Sequence, residues 1–188
     1  MNQLLKWMAA LAGAAFMSAG AWAAADGWAE LARPGAIVLF RHANAPGIGD
    51  PPGFRPGDCT SQRNLDERGR EDARRIGQLF RSRKVAVGAV LSSSWCRARE
   101  TATLAFGSLV REEPAFDSFF RLPGQVSDEQ TARARALLLD WRGPGALVVV
   151  THQVNISALT GAGAVSGEGV VIRRAADGSF EVVATITP

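Results

Sequence analysis

A chain of 188 residues is one domain by size, with enough sequence to bury a real core. Its net charge of +3 is a mild excess, and all but two of its 21 basic residues are arginine. With no basic runs and no interleaved aromatics, this reads as a solvated arginine-rich surface and excludes a nucleic-acid partner.

The chain opens on a short positive n-region, Met1 to Lys6, then an apolar, small-residue-rich stretch from Trp7 to Trp22. Ala21-Trp22-Ala23 and Ala23-Ala24-Ala25 both fit an A-x-A cleavage site before Asp26. This predicts a signal peptide over 1–25 and an exported domain, periplasmic or secreted, over 26–188. The apolar stretch is short for a membrane span and lacks a basic stop-transfer flank, so no stable span is expected after cleavage. An uncleaved N-terminal anchor is the alternative.

Next comes Ala36-Ile37-Val38-Leu39-Phe40, which ends in Arg41-His42-Ala43. So apolar and β-branched a run suits a strand buried on both faces of a parallel sheet. Residues 44–64 are rich in glycine and proline, and a long irregular loop in a compact domain is usually functional. From Leu65 to Arg83 the pattern is helical, with Ala73, Ile76, Leu79 and Phe80 on one face. Val85 to Leu91 reads as a short strand, followed by Ser92-Ser93-Ser94-Trp95-Cys96-Arg97-Ala98-Arg99-Glu100-Thr101-Ala102 and a helix from Arg97 to Phe106. Ser92 and Ser93 are expected to cap that helix.

Ser127-Asp128-Glu129-Gln130 reads as a capping box opening a helix to about Trp141, stopped by Gly143-Pro144-Gly145. Ala146 to Thr151 is a second doubly buried strand, ending at His152, and a short helix over Asn155 to Thr160 follows. Val170 to Arg174 and Phe180 to Ile186 alternate with the strand period around Asp177-Gly178, a hairpin signal. The sum is an α/β three-layer αβα sandwich with a mainly parallel sheet and a C-terminal antiparallel hairpin.

The chain has only two histidines, and each sits just past a strand. In an open α/β sheet, ligands bind outside the carboxyl ends of the strands. Arg41 with His42, Arg97 and His152 thus meet at three strand ends, a site suited to an anion. The two cysteines, Cys59 and Cys96, are expected to form a disulfide in an oxidising compartment. They border the proposed pocket and lack the C-x-x-C spacing of a zinc site.

Arg41-His42-Ala43, the Ser92-Ser93 to Thr101-Ala102 segment, the helix start Asn64-Leu65-Asp66-Glu67-Arg68-Gly69-Arg70 and Thr151-His152 occur in order over about 36 to 160. Together they resemble the histidine phosphatase superfamily, the phosphoglycerate-mutase-like group. The resemblance implies a phosphomonoesterase acting through a phosphohistidine, exported if the 1–25 segment is a signal peptide. His42 is then the nucleophile, Arg41 and Arg97 clamp the phosphoryl oxygens, His152 adds charge stabilisation, and Ser92 lines the pocket. The family's usual general acid is a carboxylate in a Leu-x-Glu-like segment. Here the matching stretch is Ala115 to Phe120, with Ser118 at the acid's place and Asp117 one position earlier. Asp117 is the candidate acid, with Glu112 and Glu113 as alternatives. Without an acid, the substrate needs a good leaving group such as a phosphohistidine or acyl phosphate.

Other nucleophile motifs are missing. Cys59 and Arg63 are too close for C-x5-R, and no G-x-S-x-G, P-loop or H-E-x-x-H occurs. Neither metal nor cofactor is expected. The expected partner is a phosphorylated small molecule, an envelope sugar or a phosphoprotein. A binding protein that keeps the phosphate pocket without turnover is the alternative; a mutase moving phosphate within a sugar acid fits an exported chain poorly. With no long insertion between the helix ending near Gly107 and the one starting near Ser127, the pocket is expected to be shallow and open.

Overall fold

Six strands form one sheet in the order β3-β2-β4-β1-β5-β6: β1 (Ile37–Arg41), β2 (Val87–Ser92), β3 (Val110–Glu112), β4 (Ala146–Thr151), β5 (Gly169–Arg174) and β6 (Phe180–Ile186). In this computed structural model, which describes residues 26–120, 122 and 124–188, β1 to β4 run parallel, β5 pairs antiparallel with β1, and β6 antiparallel with β5. The expected signal peptide lies outside the described residues.

The apolar runs become central strands because both of their faces are covered. Val38 and Phe40 of β1 and Val148 and Val150 of β4 join one core with Ile76, Phe80, Ala98 and Ala102. Ile37, Leu39, Leu147 and Val149 join the opposite core with Phe116, Leu138, Ile156 and Leu159. Each of the valine, leucine, isoleucine and phenylalanine side chains stabilises the fold by about 1.5–3 kcal/mol on transfer from water. Helices α1 (Gly27–Leu31), α2 (Glu67–Ser82) and α3 (Cys96–Phe106) cover the first face, and α4 (Gly124–Asp140) and α5 (Gln153–Thr160) cover the second. Three αβα layers result, with the C-terminal hairpin at one edge, turning at Asp177-Gly178 where Gly178 has φ +80°. None of the described helices is long and apolar enough to cross a membrane.

Two local features bring chain segments together near the strand ends. Asp66 caps α2 by accepting from the Gly69 N–H at 2.7 Å, the carboxylate complementing the helix N-terminus. Gly69 is pressed against Asn44, where a Cβ would meet the Asn44 carbonyl oxygen at 2.1 Å. The glycine lets α2 approach the chain just after His42.

Helix α4 starts at Gly124, before the expected capping box. Ser127 lies inside the helix and donates to the Gly124 carbonyl at 2.7 Å instead of capping. A serine that reaches its own preceding carbonyl is compatible with a helix interior.

Candidate active site

The crevice lies at the C-terminal ends of β1, β2 and β4, where β4 sits between β1 and β2 and the connections diverge to opposite faces. The ladder continues one residue past each strand: the His42 N–H donates to Thr151 at 3.0 Å and the Ser93 N–H to Val150 at 2.9 Å. Backbone pairing thus places His42 and Ser93 beside the end of β4, which leads into His152. The two imidazole rings lie edge to face, 5.4 Å between centroids.

His42 Nδ1 lies 2.8 Å from the carbonyl of Ala43. A carbonyl only accepts, so Nδ1 carries the proton and Nε2 keeps its lone pair. The Ala43 peptide is itself fixed, its N–H donating to Thr101 Oγ1 at 3.0 Å while that hydroxyl donates to the Arg97 carbonyl at 2.7 Å. Burial pushes the His42 pKa down to about 3, with Arg97, Arg63 and Arg41 adding to the effect and the Ala43 carbonyl opposing it. His42 is therefore a neutral, oriented imidazole at ordinary pH.

His152 is buried and also held well below its usual pKa, first by burial, then by His42 and the three arginines. Its Nε2 lies 2.8 Å from Ser93 Oγ, and Ser93 Oγ in turn reaches Asp117 Oδ1 at 3.1 Å. With Asp117 ionised, the serine hydroxyl donates to the carboxylate and accepts from His152. Asp117 Oδ1 also accepts from the Ser94 N–H at 2.6 Å. Burial raises the Asp117 pKa, against the hydrogen bonds from Ser94 and Ser93.

Arg41 leaves the end of β1 and donates from Nη1 to the Ala164 carbonyl at 3.0 Å. Arg97 is buried in the first turn of α3, and its charge is opposed by burial and by Arg41. Among the described residues, the buried Nε of Arg41 and the buried Nε of Arg97 meet no hydrogen-bond acceptor. Unpaired buried donors are costly, and an oxyanion's oxygens suit them.

The structure therefore gathers Arg41, His42, Arg97, His152 and Asp117 in one place. The Ser92 hydroxyl instead donates to the Ser93 carbonyl at 2.8 Å, and alternation along β2 turns it to the face opposite Ser93. Ser93 is the serine that meets the histidine. Neither serine is the N-cap of α3; that position is Trp95, with no side-chain cap. Glu112 pairs with Arg99 on the surface at 3.0 Å, and Glu113 accepts from Ala115 N at 3.2 Å in a 3-10 turn. Cys59 and Cys96 are joined as a disulfide, their Cα atoms 5.6 Å apart.

Sequence reasoning missed Asp50 and Arg63, both on the glycine- and proline-rich loop. Asp50 forms an ion pair with Arg97 at 2.7 Å. Arg63 donates from Nε to the Gly49 carbonyl at 2.8 Å and from Nη1 to that of Ala45. Burial and Arg97 lower the Arg63 pKa to about 10. Phe54 packs on Trp95 (5.8 Å), which itself packs on His152 (5.8 Å). The loop therefore packs beside the crevice, through Asp50 on Arg97 and Phe54 on Trp95. Among the described residues, no group of three or more His, Cys, Asp or Glu side chains could hold a metal ion.

A family model for the histidine phosphatase superfamily (branch 1) matches residues 37–141, more than half of the chain. A candidate α-ribazole-5′-phosphate phosphatase from Escherichia coli strain K-12 is similar in structure, with TM-score 0.62 and 18% identity over 81% of this chain and 96% of that one. The protein histidine phosphatase SixA complexed with tungstate matches with TM-score 0.55 and 16% identity over 81% and 97%. A candidate phosphohistidine phosphatase SixA from Nakamurella multipartitia matches with TM-score 0.52 and 25% identity over 81% and 95%. No curated protein matches the sequence.

Proposed function

The chain belongs to the histidine phosphatase superfamily, branch 1, and we propose that it is an exported, metal-independent phosphomonoesterase working through a phosphohistidine on His42. The observation that supports this best is the 2.8 Å hydrogen bond from His42 Nδ1 to the Ala43 carbonyl, which aims a neutral Nε2 lone pair beside unsatisfied arginine donors. In the first step Nε2 attacks phosphorus, the P–N bond forms and the P–O bond to the leaving group breaks. Asp117, its pKa raised by burial, gives the leaving oxygen its proton. Water then attacks phosphorus and gives its proton to the Asp117 carboxylate; the O–P bond forms, the P–N bond breaks, and inorganic phosphate, the neutral imidazole and the protonated acid result.

Arg41 and Arg97 hold the non-bridging oxygens through charge-assisted bonds, in the role that a metal's charge fills in other phosphatases. His152 takes up a further oxygen once the dianion offsets the surrounding positive charge and permits its protonation. The basic and apolar 1–25 segment and the disulfide support export. Substrates of the class named by the structural neighbours, phosphohistidine proteins and phosphorylated small molecules, suit this pocket, as does a phosphorylated envelope sugar.

One observation favours a second reading, a phospho-ligand-binding protein without turnover. Asp117 Oδ1 is engaged by Ser93 and Ser94, which competes with its service as an acid. Hydrolysis of p-nitrophenyl phosphate in EDTA, lost in His42→Ala, supports the enzyme. No turnover by the unaltered protein, with phosphate still bound, supports the binder.

A further inference from the structure

The chemistry above gives Asp50 no part, yet its carboxylate stands inside the arginine cluster. Its Oδ1 accepts from Arg97 Nη1 at 2.7 Å and from the Arg63 backbone N–H at 3.1 Å, and Oδ2 accepts from Trp95 Nε1 at 3.0 Å. Only 3% of the Arg97 side chain and 8% of the Asp50 side chain is exposed. A buried pair with hydrogen bonds on both carboxylate oxygens is held in one geometry, unlike a surface pair. The loop that presents it is itself fastened, by Arg63 on the Gly49 carbonyl and by the disulfide from Cys59 to α3.

Two consequences follow from this placement. Asp50 occupies Nη1 of Arg97 and so fixes the guanidinium, whose Nε remains without an acceptor among the described residues. Asp50 also sets the charge of the pocket. Arg41, Arg63 and Arg97 supply three cations around two neutral histidines, and with Asp117 protonated for its role as the acid, the Asp50 carboxylate leaves an excess of two, equal and opposite to a phosphate monoester dianion. Without that carboxylate the cluster would hold the product phosphate as firmly as any reacting group. Uniform tightening of this kind does not speed the chemical step and slows release.

We propose that Asp50 is a positioning residue that fixes the Arg97 fork for the phosphoryl group and, as a permanent counter-charge, keeps the pocket from retaining product phosphate. The proposal rests on the phosphatase reading. The test uses the whole protein and Asp50→Asn, which keeps shape and an acceptor for Trp95 but removes the charge. Inorganic phosphate affinity is measured by calorimetry, alongside kcat, KM and product inhibition with p-nitrophenyl phosphate.

The expected result is phosphate binding at least about tenfold tighter in Asp50→Asn at low ionic strength, a lower KM and a lower kcat, the difference shrinking with added salt. Asp50→Glu returns the charge and weakens phosphate binding again. A merely structural role predicts the opposite sign, phosphate binding unchanged or weaker in Asp50→Asn, and that result overturns the proposal while leaving the phosphatase reading intact. If the Asn variant fails to fold, Asp50→Ser is judged by the same sign. Unaltered protein that neither binds phosphate nor hydrolyses the ester overturns the phosphatase reading itself.

Discussion

Thr101 ties the peptide that orients the nucleophile to the helix that carries one arginine, so Thr101→Val frees that peptide by removing a single hydroxyl. The threonine is fully buried. Its Oγ1 accepts from the Ala43 N–H at 3.0 Å and donates to the Arg97 carbonyl at 2.7 Å, and the Ala43 carbonyl holds His42 Nδ1 at 2.8 Å. Valine keeps the branched shape but strands the Ala43 N–H away from water. An unsatisfied buried donor costs about 1–3 kcal/mol, so a loss of roughly 2 kcal/mol is expected in urea unfolding. The freed Ala43 peptide also lets the imidazole drift. A shift on the order of 1 Å costs on the order of 100-fold in rate, and a partial shift predicts roughly a tenfold lower kcat. The guanidinium clamps on phosphate stay in place, so KM should change little. Thr101→Ser keeps the hydroxyl and should recover most of the kcat. A valine variant with unaltered stability and unaltered kcat would refute this chain of support.

Three further outcomes are expected. Because the folded His42 pKa is depressed to about 3, the unfolded chain binds the extra proton between pH 6.5 and 3, and stability falls with pH in that window. The slope is on the order of 1 kcal/mol per pH unit from His42, with His152 acting in the same direction. His42→Asn should flatten the pH dependence of urea midpoints between pH 6.5 and 4.5, and an unchanged slope would contradict the burial argument. The disulfide closes a loop with a sequence separation of 37, so reduction should cost roughly 2–4 kcal/mol and lower Tm by about 5–15 °C; an unmoved Tm in reductant would contradict it. Asp117→Asn should slow alkyl phosphates by on the order of 100-fold or more and activated aryl phosphates far less. Equal slowing of both classes would make Asp117 a support for Ser93 and not the acid.

Much of the architecture was legible because it rests on local patterns. Runs such as Ile37 to Phe40 and Leu147 to Val150 have no polar face, which forces both sides of the strand under cover and places Arg41, His42 and His152 at the sheet's carboxyl edge. Arg97 was legible from its place after Ser92 and Ser93. Asp50 and Arg63 were not, because a glycine- and proline-rich loop has no period, and only tertiary contact decides which of its charges turns inward. Period-2 alternation past Leu91 separates Ser92 from Ser93, but the exact strand end decides which of them faces the crevice. The start of α4 was misplaced because Ser127 to Gln130 is a sound capping pattern that the chain does not use.

The most direct test of the account is to trap the covalent intermediate. A rapid acid-free quench of the protein reacting with radiolabelled phosphate ester, followed by peptide mass spectrometry, should find phosphate on His42, stable in alkali and lost in acid, in the presence of EDTA. The same experiment on His42→Ala should find none. Phosphate on another residue, or undiminished turnover in His42→Ala, would contradict the assignment of His42 as the nucleophile.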